Sequence, residues 1–154
     1  MTFVDSRRPI LGVVDHGTRA CVALQEVRTK GSIAILRALL DAIEVCGLPQ
    51  TIRTDNEIVF CSRLMRWSLA LLGICHQRIE RCAPWQNGRV ERFFGTFKRT
   101  WRALREINDR TIGQAALDDF RIWYNHARPH QHLEGMTPAM AWSGRRPSRR
   151  SKAR

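Results

Sequence analysis

A chain of 154 residues, 44% hydrophobic and with a mean hydropathy of −0.34, is long enough for one domain with a buried core. It holds no apolar run near the roughly 18 residues of a bilayer span and no charged-then-apolar leader, so neither a membrane protein nor a secreted one is expected, and the cytoplasm is the default. Five cysteines without a Cys-x-x-Cys pair argue against a disulfide framework and a zinc knuckle, while a net charge of +12 suggests a polyanion partner.

Thr2-Phe3-Val4 and the run from Ile10 to Val14 read as two strands, with Asp5-Ser6-Arg7-Arg8 as the hairpin turn between them. Asp15-His16-Gly17-Thr18 is a second turn, and Arg19 to Gln25 a third strand, giving an antiparallel meander. Ser32 is a good N-cap for a helix whose apolar face would be Ile33, Leu36, Leu39, Leu40 and Ile43, closed by Gly47 and Pro49. A fourth strand around Ile52 follows, and a strand–helix–strand connection favours parallel pairing. Leu64, Trp67, Leu71 and Leu72 mark a second helix after Ser62, and Ile74-Cys75-His76-Gln77 a short fifth strand.

Pro84 and Asn87-Gly88 are turn formers, and the pattern then becomes helical. Val90, Phe93, Phe94, Phe97, Trp101 and Leu104 recur at helical spacing, predicting a long helix from about Gly88 to Ile107. Asn108-Asp109 breaks it, Thr111 is a plausible N-cap for a helix running to Tyr124, and Thr137-Pro138 opens a last short helix. Residues 1–142 thus read as one folded unit, and 143–154, arginine- and serine-rich without apolar periodicity, as a basic disordered tail.

Charge is concentrated. Arg78 to Arg105 holds eight basic and two acidic residues, and Ser143 to Arg154 six basic and none acidic, so the rest of the chain is neutral overall. The acidic residues of interest are Asp55, which ends the fourth strand, and Glu91, which lies in the first turn of the long helix. Taken alone, Glu91 reads as a carboxylate placed well against the helix dipole.

Three ordered blocks change that reading. Arg53-Thr54-Asp55-Asn56-Glu57, then Pro84-Trp85-Gln86-Asn87-Gly88-Arg89-Val90-Glu91 with 35 residues between Asp55 and Glu91, and then Trp123-Tyr124-Asn125, Arg128-Pro129-His130-Gln131 and Thr137-Pro138 stand in sequence. From about Phe3 to Trp142 the chain resembles the catalytic core of retroviral-type integrases and bacterial insertion-sequence transposases of the DDE type.

The resemblance implies an α/β, ribonuclease H-like fold, with a mixed five-stranded sheet and helices on both faces. It implies metal-dependent DNA cleavage and strand transfer, with Asp55 and Glu91 as catalytic carboxylates holding magnesium or manganese in a two-ion site. Asn87, Arg89, Lys98 and Arg102 become the implied DNA contacts, Lys98 lying seven residues beyond Glu91 on about the same helix face. Glu57 is given a loop-anchoring role. Implied partners are DNA, both element ends and target, and further copies of the chain.

The family's first aspartate would fall just before Met1, so the sequence reads as a core truncated at its start or as a reading frame begun at an internal methionine. Negligible strand transfer is then expected. The second reading is a catalytically inactive DNA-binding or multimerising fragment. Asp15 matches an acidic position of the next strand. If the first hairpin turn is centred between Ser6 and Arg7, Asp15 projects near the site and is the one candidate for a substitute third ligand.

Overall fold

The computed structural model describes residues 2–4, 9–80, 84–100 and 110–145. Strands β1 (Thr2–Val4), β2 (Ile10–Val14) and β3 (Cys21–Glu26) form the antiparallel meander, in the order β1-β2-β3. Helix α1 (Ser32–Cys46) leads to β4 (Thr51–Thr54), helix α2 (Arg63–Leu71) to β5 (Cys75–Arg78), and β4 and β5 pair in parallel. Helices α3 (Gly88–Thr100), α4 (Arg110–Ile122) and α5 (Pro138–Trp142) complete the chain.

The pairing seen among the described residues covers part of the single five-stranded sheet that the sequence led us to expect. It comprises a three-stranded ladder and a two-stranded one. The described part of β1 spans three residues, with Thr2 opposite Gly12, Phe3 opposite Leu11 and Val4 opposite Ile10. That register centres the first hairpin on residue 7, so the placement of Asp15 that required a centre between Ser6 and Arg7 is not met. The turn itself, 5–8, lies outside the described residues.

The core divides into two clusters. Leu11 and Ile52 from the strands, with Ile74 just before β5, meet Ile35, Ala38 and Leu39 of α1 and Met65 and Leu69 of α2. Val14, Cys21 and Leu24 meet Val90, Phe93, Phe94 and Phe97 of α3 and Leu117 and Phe120 of α4. Strand β2 feeds both, as alternation of side chains across a pleated strand requires. Gly12, one position from Leu11, is where α3 comes closest: a Cβ there would stand 2.5 Å from Phe94 Cζ. The aromatic rings interlock edge to face, Phe93 with Tyr124 at 4.9 Å and Phe97 with Phe120 at 5.0 Å between centroids.

Several local expectations shift. Helix α1 starts at Ser32 itself, capped by Gly31 without a side-chain bond, because the Ser32 hydroxyl meets the Ser62 hydroxyl at 2.8 Å instead. Ser62 caps α2 by accepting from Met65 N–H. The buried faces of both helices are rotated from the predicted ones: Ile33 and Leu40 of α1 and Leu64, Trp67 and Leu71 of α2 are exposed. Thr111 lies inside α4 rather than capping it, and α4 passes into a π-helical turn, Trp123–Ala127. Trp101, Leu104 and the Asn108-Asp109 break lie outside the described residues. Pro138 does open α5, behind a Thr137 cap. Of the described cysteines only Cys21 is buried, so cysteine is not a general core filler here.

Candidate functional site

Strand β4 alternates: Ile52 and Thr54 are buried while Thr51 and Arg53 face out. Buried Thr54 is satisfied by His76 of β5, its hydroxyl 3.0 Å from Nε2. Asp55 follows immediately, half-buried, and its Oδ1 accepts the Glu57 N–H at 3.2 Å, closing a tight Asx turn. Glu57 reaches away from this turn to Lys30, 3.2 Å, in a surface ion pair.

Hydrogen bonds stitch this turn to α3. Ile79 N–H donates to Thr54 O at 3.1 Å, and Asn56 Nδ2 donates to Ile79 O at 2.8 Å. One residue on, Glu80 N–H donates to Gln86 Oε1 at 3.0 Å. Gln86 belongs to the short 3-10 turn Pro84–Asn87, which runs directly into α3. Glu91 stands exposed in the first turn of α3, where the helix dipole favours negative charge. The turn that holds Asp55 is thus hydrogen-bonded, through Ile79 and Glu80, to the segment that leads into α3, whose first turn carries Glu91.

Asn87 is half-buried in the 3-10 turn. Arg89 is exposed but tethered, its Nη1 donating to His16 O at 3.0 Å, which fixes the start of α3 against the β2–β3 turn. Lys98 is exposed in the last turn of α3, the end of the dipole that favours a cation. Arg102 lies outside the described residues.

Asp15 anchors its own turn. Its Oδ2 accepts from Gly17 N–H (3.1 Å), Thr18 N–H (2.7 Å) and the Thr18 hydroxyl (2.7 Å). Burial opposes its charge, but the bonds from Thr18 and Gly17 outweigh that and hold its pKa below the ordinary aspartate value. One carboxylate oxygen is thus committed three times over. Beside it, burial and the charges of Arg89 and Arg53 push His16 below its usual pKa.

The third block does structural work that sequence periodicity gave no sign of. Asn125 pairs with Cys21 like an added strand residue, Oδ1 accepting its N–H and Nδ2 donating to its carbonyl, both at 2.9 Å. His130 packs edge-on against Tyr124 and lies 3.2 Å from Arg128 Nη1. Arg19, in the left-handed region at φ 64°, has a buried Nη1 with no hydrogen-bond partner.

Asp55 and Glu91 suit a hard divalent cation in kind, since such ions take carboxylate oxygen. They fall short in number: among the described residues no group of three His, Cys, Asp or Glu is arranged to hold a metal. No described helix is long and apolar enough to cross a membrane.

Residues 72–138 match the integrase core domain family. The insertion element IS476 uncharacterized 39.2 kDa protein of Xanthomonas euvesicatoria is 34% identical over 131 residues, covering 84% of this chain and 37% of that protein. The insertion element IS407 uncharacterized 31.7 kDa protein of Burkholderia multivorans is 29% identical over 130 residues, 84% of this chain and 47% of that one. The chain thus spans less than half the length of these relatives. Among solved structures, the catalytic core domain of BIV integrase superposes with a TM-score of 0.74 at 18% identity, covering 94% of this chain and 90% of that one. The HTLV-2 integrase catalytic core domain in complex with magnesium, in its dimeric form, gives 0.71 at 21% identity, covering 92% and 90%. These likenesses carry the ribonuclease H-like α/β fold. By sequence the chain is similar to the integrase core domain family, over residues 72–138, and to bacterial insertion-element proteins, and by fold it is similar to retroviral integrase catalytic cores.

Proposed function

We propose that the chain is a DDE-type transposase or integrase core, built for metal-dependent DNA cleavage and strand transfer, with Asp55 and Glu91 as its catalytic, ion-holding carboxylates. The observation that supports this reading is the hydrogen-bonded path from Asn56 through Ile79 and from Glu80 to Gln86, which links the turn after Asp55 to the segment entering the helix of Glu91. A bound divalent ion would supply Lewis-acid stabilisation of charge at phosphorus. Asn87, Arg89, Lys98 and Arg102 would hold the phosphate backbone, affording affinity without base reading. Element ends and target DNA are the partners, and the working form a homo-oligomer in the cytoplasm. The two ladders would be parts of one mixed five-stranded sheet.

A second reading, DNA binding without chemistry, is favoured by one observation: the described residues bring together no group of three metal-ligating side chains. One set of assays separates the two. DNA nicking and joining are measured with magnesium and with manganese, for the 154-residue chain and for a version carrying an aspartate immediately before Met1. Negligible joining is expected from the short chain, with activity appearing on extension and falling at least ~10²-fold in Asp55→Asn or Glu91→Gln. DNA binding with no activity in either version would select the second reading. Activity indifferent to both substitutions would refute the site.

A further inference from the structure

Trp85 is 75% exposed, yet the turn that carries it is pinned on both sides. The next residue, Gln86, accepts the Glu80 N–H at 3.0 Å, and Arg89 donates to His16 O at 3.0 Å. The backbone beneath the indole is therefore held without help from the ring. Among the described residues the ring also stands outside the aromatic set that locks α3 to α4, which is built from Phe93, Phe97, Phe120 and Tyr124. A packed indole removes roughly 150–250 Å² from water, and here most of that area stays in solvent.

The surroundings separate Trp85 from the other strongly exposed tryptophan. Trp67, at 77%, shares the exposed side of α2 with Leu64 and Leu71, as an apolar patch does. Trp85 is followed instead by Gln86, Asn87, Gly88 and Arg89, and Arg78, Arg89 and Arg92 are all exposed. The segment from Arg78 to Arg105 holds eight basic residues against two acidic ones. A flat ring in cationic surroundings suits a partner that combines a planar face with negative charge, and a nucleotide has both. Position points the same way. Glu91 is the sixth residue after Trp85, along a 3-10 turn that runs into α3. That is roughly 10 Å of rise at about 2.0 Å per 3-10 residue and about 1.5 Å per α residue. Phosphates along one strand repeat at about 3.4 Å, so the ring stands roughly three nucleotides from the Glu91 end of the helix.

We propose, resting on the reading of the chain as a DNA-acting core, that Trp85 is a stacking platform for an unpaired nucleobase at the end of a DNA strand. A paired base inside a duplex has both faces covered by its neighbours, whereas an unpaired one offers a free face. Every base has such a face, so the platform selects unpaired over paired DNA and reads no sequence. The arginines hold the phosphates while the indole holds the base.

The test uses the full 154-residue chain and two labelled duplexes of one sequence, each ending in three unpaired nucleotides. In the second duplex those three are abasic, which keeps every phosphate and removes the bases. Fluorescence anisotropy gives the affinities. The chain is expected to bind the base-bearing end at least about fivefold more tightly than the abasic one. Trp85→Ala and Trp85→Leu should bind the two equally, with unchanged melting temperatures, while Trp85→Phe keeps a preference. A 2-aminopurine among the unpaired bases should be quenched on binding to the natural chain and not to Trp85→Leu. Equal binding of the two duplexes by the natural chain, or a preference retained in Trp85→Leu, would overturn the stacking assignment and leave the DNA-acting reading in place. Binding to neither duplex would overturn both. Self-association without DNA, lost in Trp85→Ala, would assign the ring to an interface between copies and overturn the nucleobase assignment.

Discussion

Asp15 accepts three hydrogen bonds on one oxygen, an arrangement that suits only the ionised carboxylate. Its pKa is held below the ordinary value, so the stability it contributes is present above about pH 4 and is lost as pH falls through its folded pKa. Asp15→Asn should cost about 1 kcal/mol near neutrality and remove that part of the acid sensitivity, read from urea melts at pH 7 and pH 3. His130 has the opposite problem. Burial, then Arg128 and Arg19, push its pKa down to about 4. An unfolded histidine titrates near 6.5, so between about pH 6.5 and 4 the unfolded chain binds the extra proton and stability falls as pH drops. His130→Gln should flatten the pH dependence of the melting temperature in that window, and an unchanged slope would show that other groups carry it. The partners of Asp15 lie in the Asp15-His16-Gly17-Thr18 turn already marked by the sequence, whereas the burial of His130 and its approach to Arg19 come only with the fold.

Helix α3 illustrates what holds one element in place. Its predicted apolar positions Val90, Phe93, Phe94 and Phe97 are all buried, and Phe94 presses on the one position of β2 that lacks a side chain. Gly12→Ala should destabilise by roughly 1–3 kcal/mol, because the ring it would meet is packed against Phe93 and Phe97 and has little room to move. Chemical denaturation measures this directly, and a neutral result would mean that the ring yields. The π-helical turn after α4 works through a polar side chain instead. Asn125→Ala should leave the Cys21 N–H and carbonyl without their partners, at a cost of about 2 kcal/mol, with faster amide exchange at Cys21. The faces of α1 and α2 were harder to read than that of α3. Apolar residues ring both helices, so spacing alone admits more than one stripe, and contact with the strands selects Ile35, Ala38 and Leu39 in α1 and Met65 and Leu69 in α2.

For the whole molecule, charge is the property that sequence alone specifies best. Twelve net positive charges, half of them between Arg78 and Arg105, call for DNA affinity that falls steeply with salt. If about six phosphates are neutralised, binding should weaken roughly 10³-fold between 50 and 200 mM salt. Removing residues 143–154 should shallow that slope, and an unchanged slope would make the basic tail a bystander.

The order of strands and helices, the antiparallel meander, the parallel β4–β5 pair, and the positions of Asp55 at a strand end and Glu91 in a helix's first turn were all legible in local pattern and motif. Turn formers, caps and strand lengths act over a few residues, and their physics is written in neighbouring side chains. Tertiary structure alone decided three other matters. It tied the Asp15 carboxylate into its own turn, with three hydrogen bonds on one oxygen. It turned the buried faces of α1 and α2 toward the strands at Ile35, Ala38 and Leu39 and at Met65 and Leu69. It also drew Asn125 across 104 residues of sequence to Cys21. The choice of buried face and long-range hydrogen bonding depend on where distant elements come to rest, and no local signal encodes that distance.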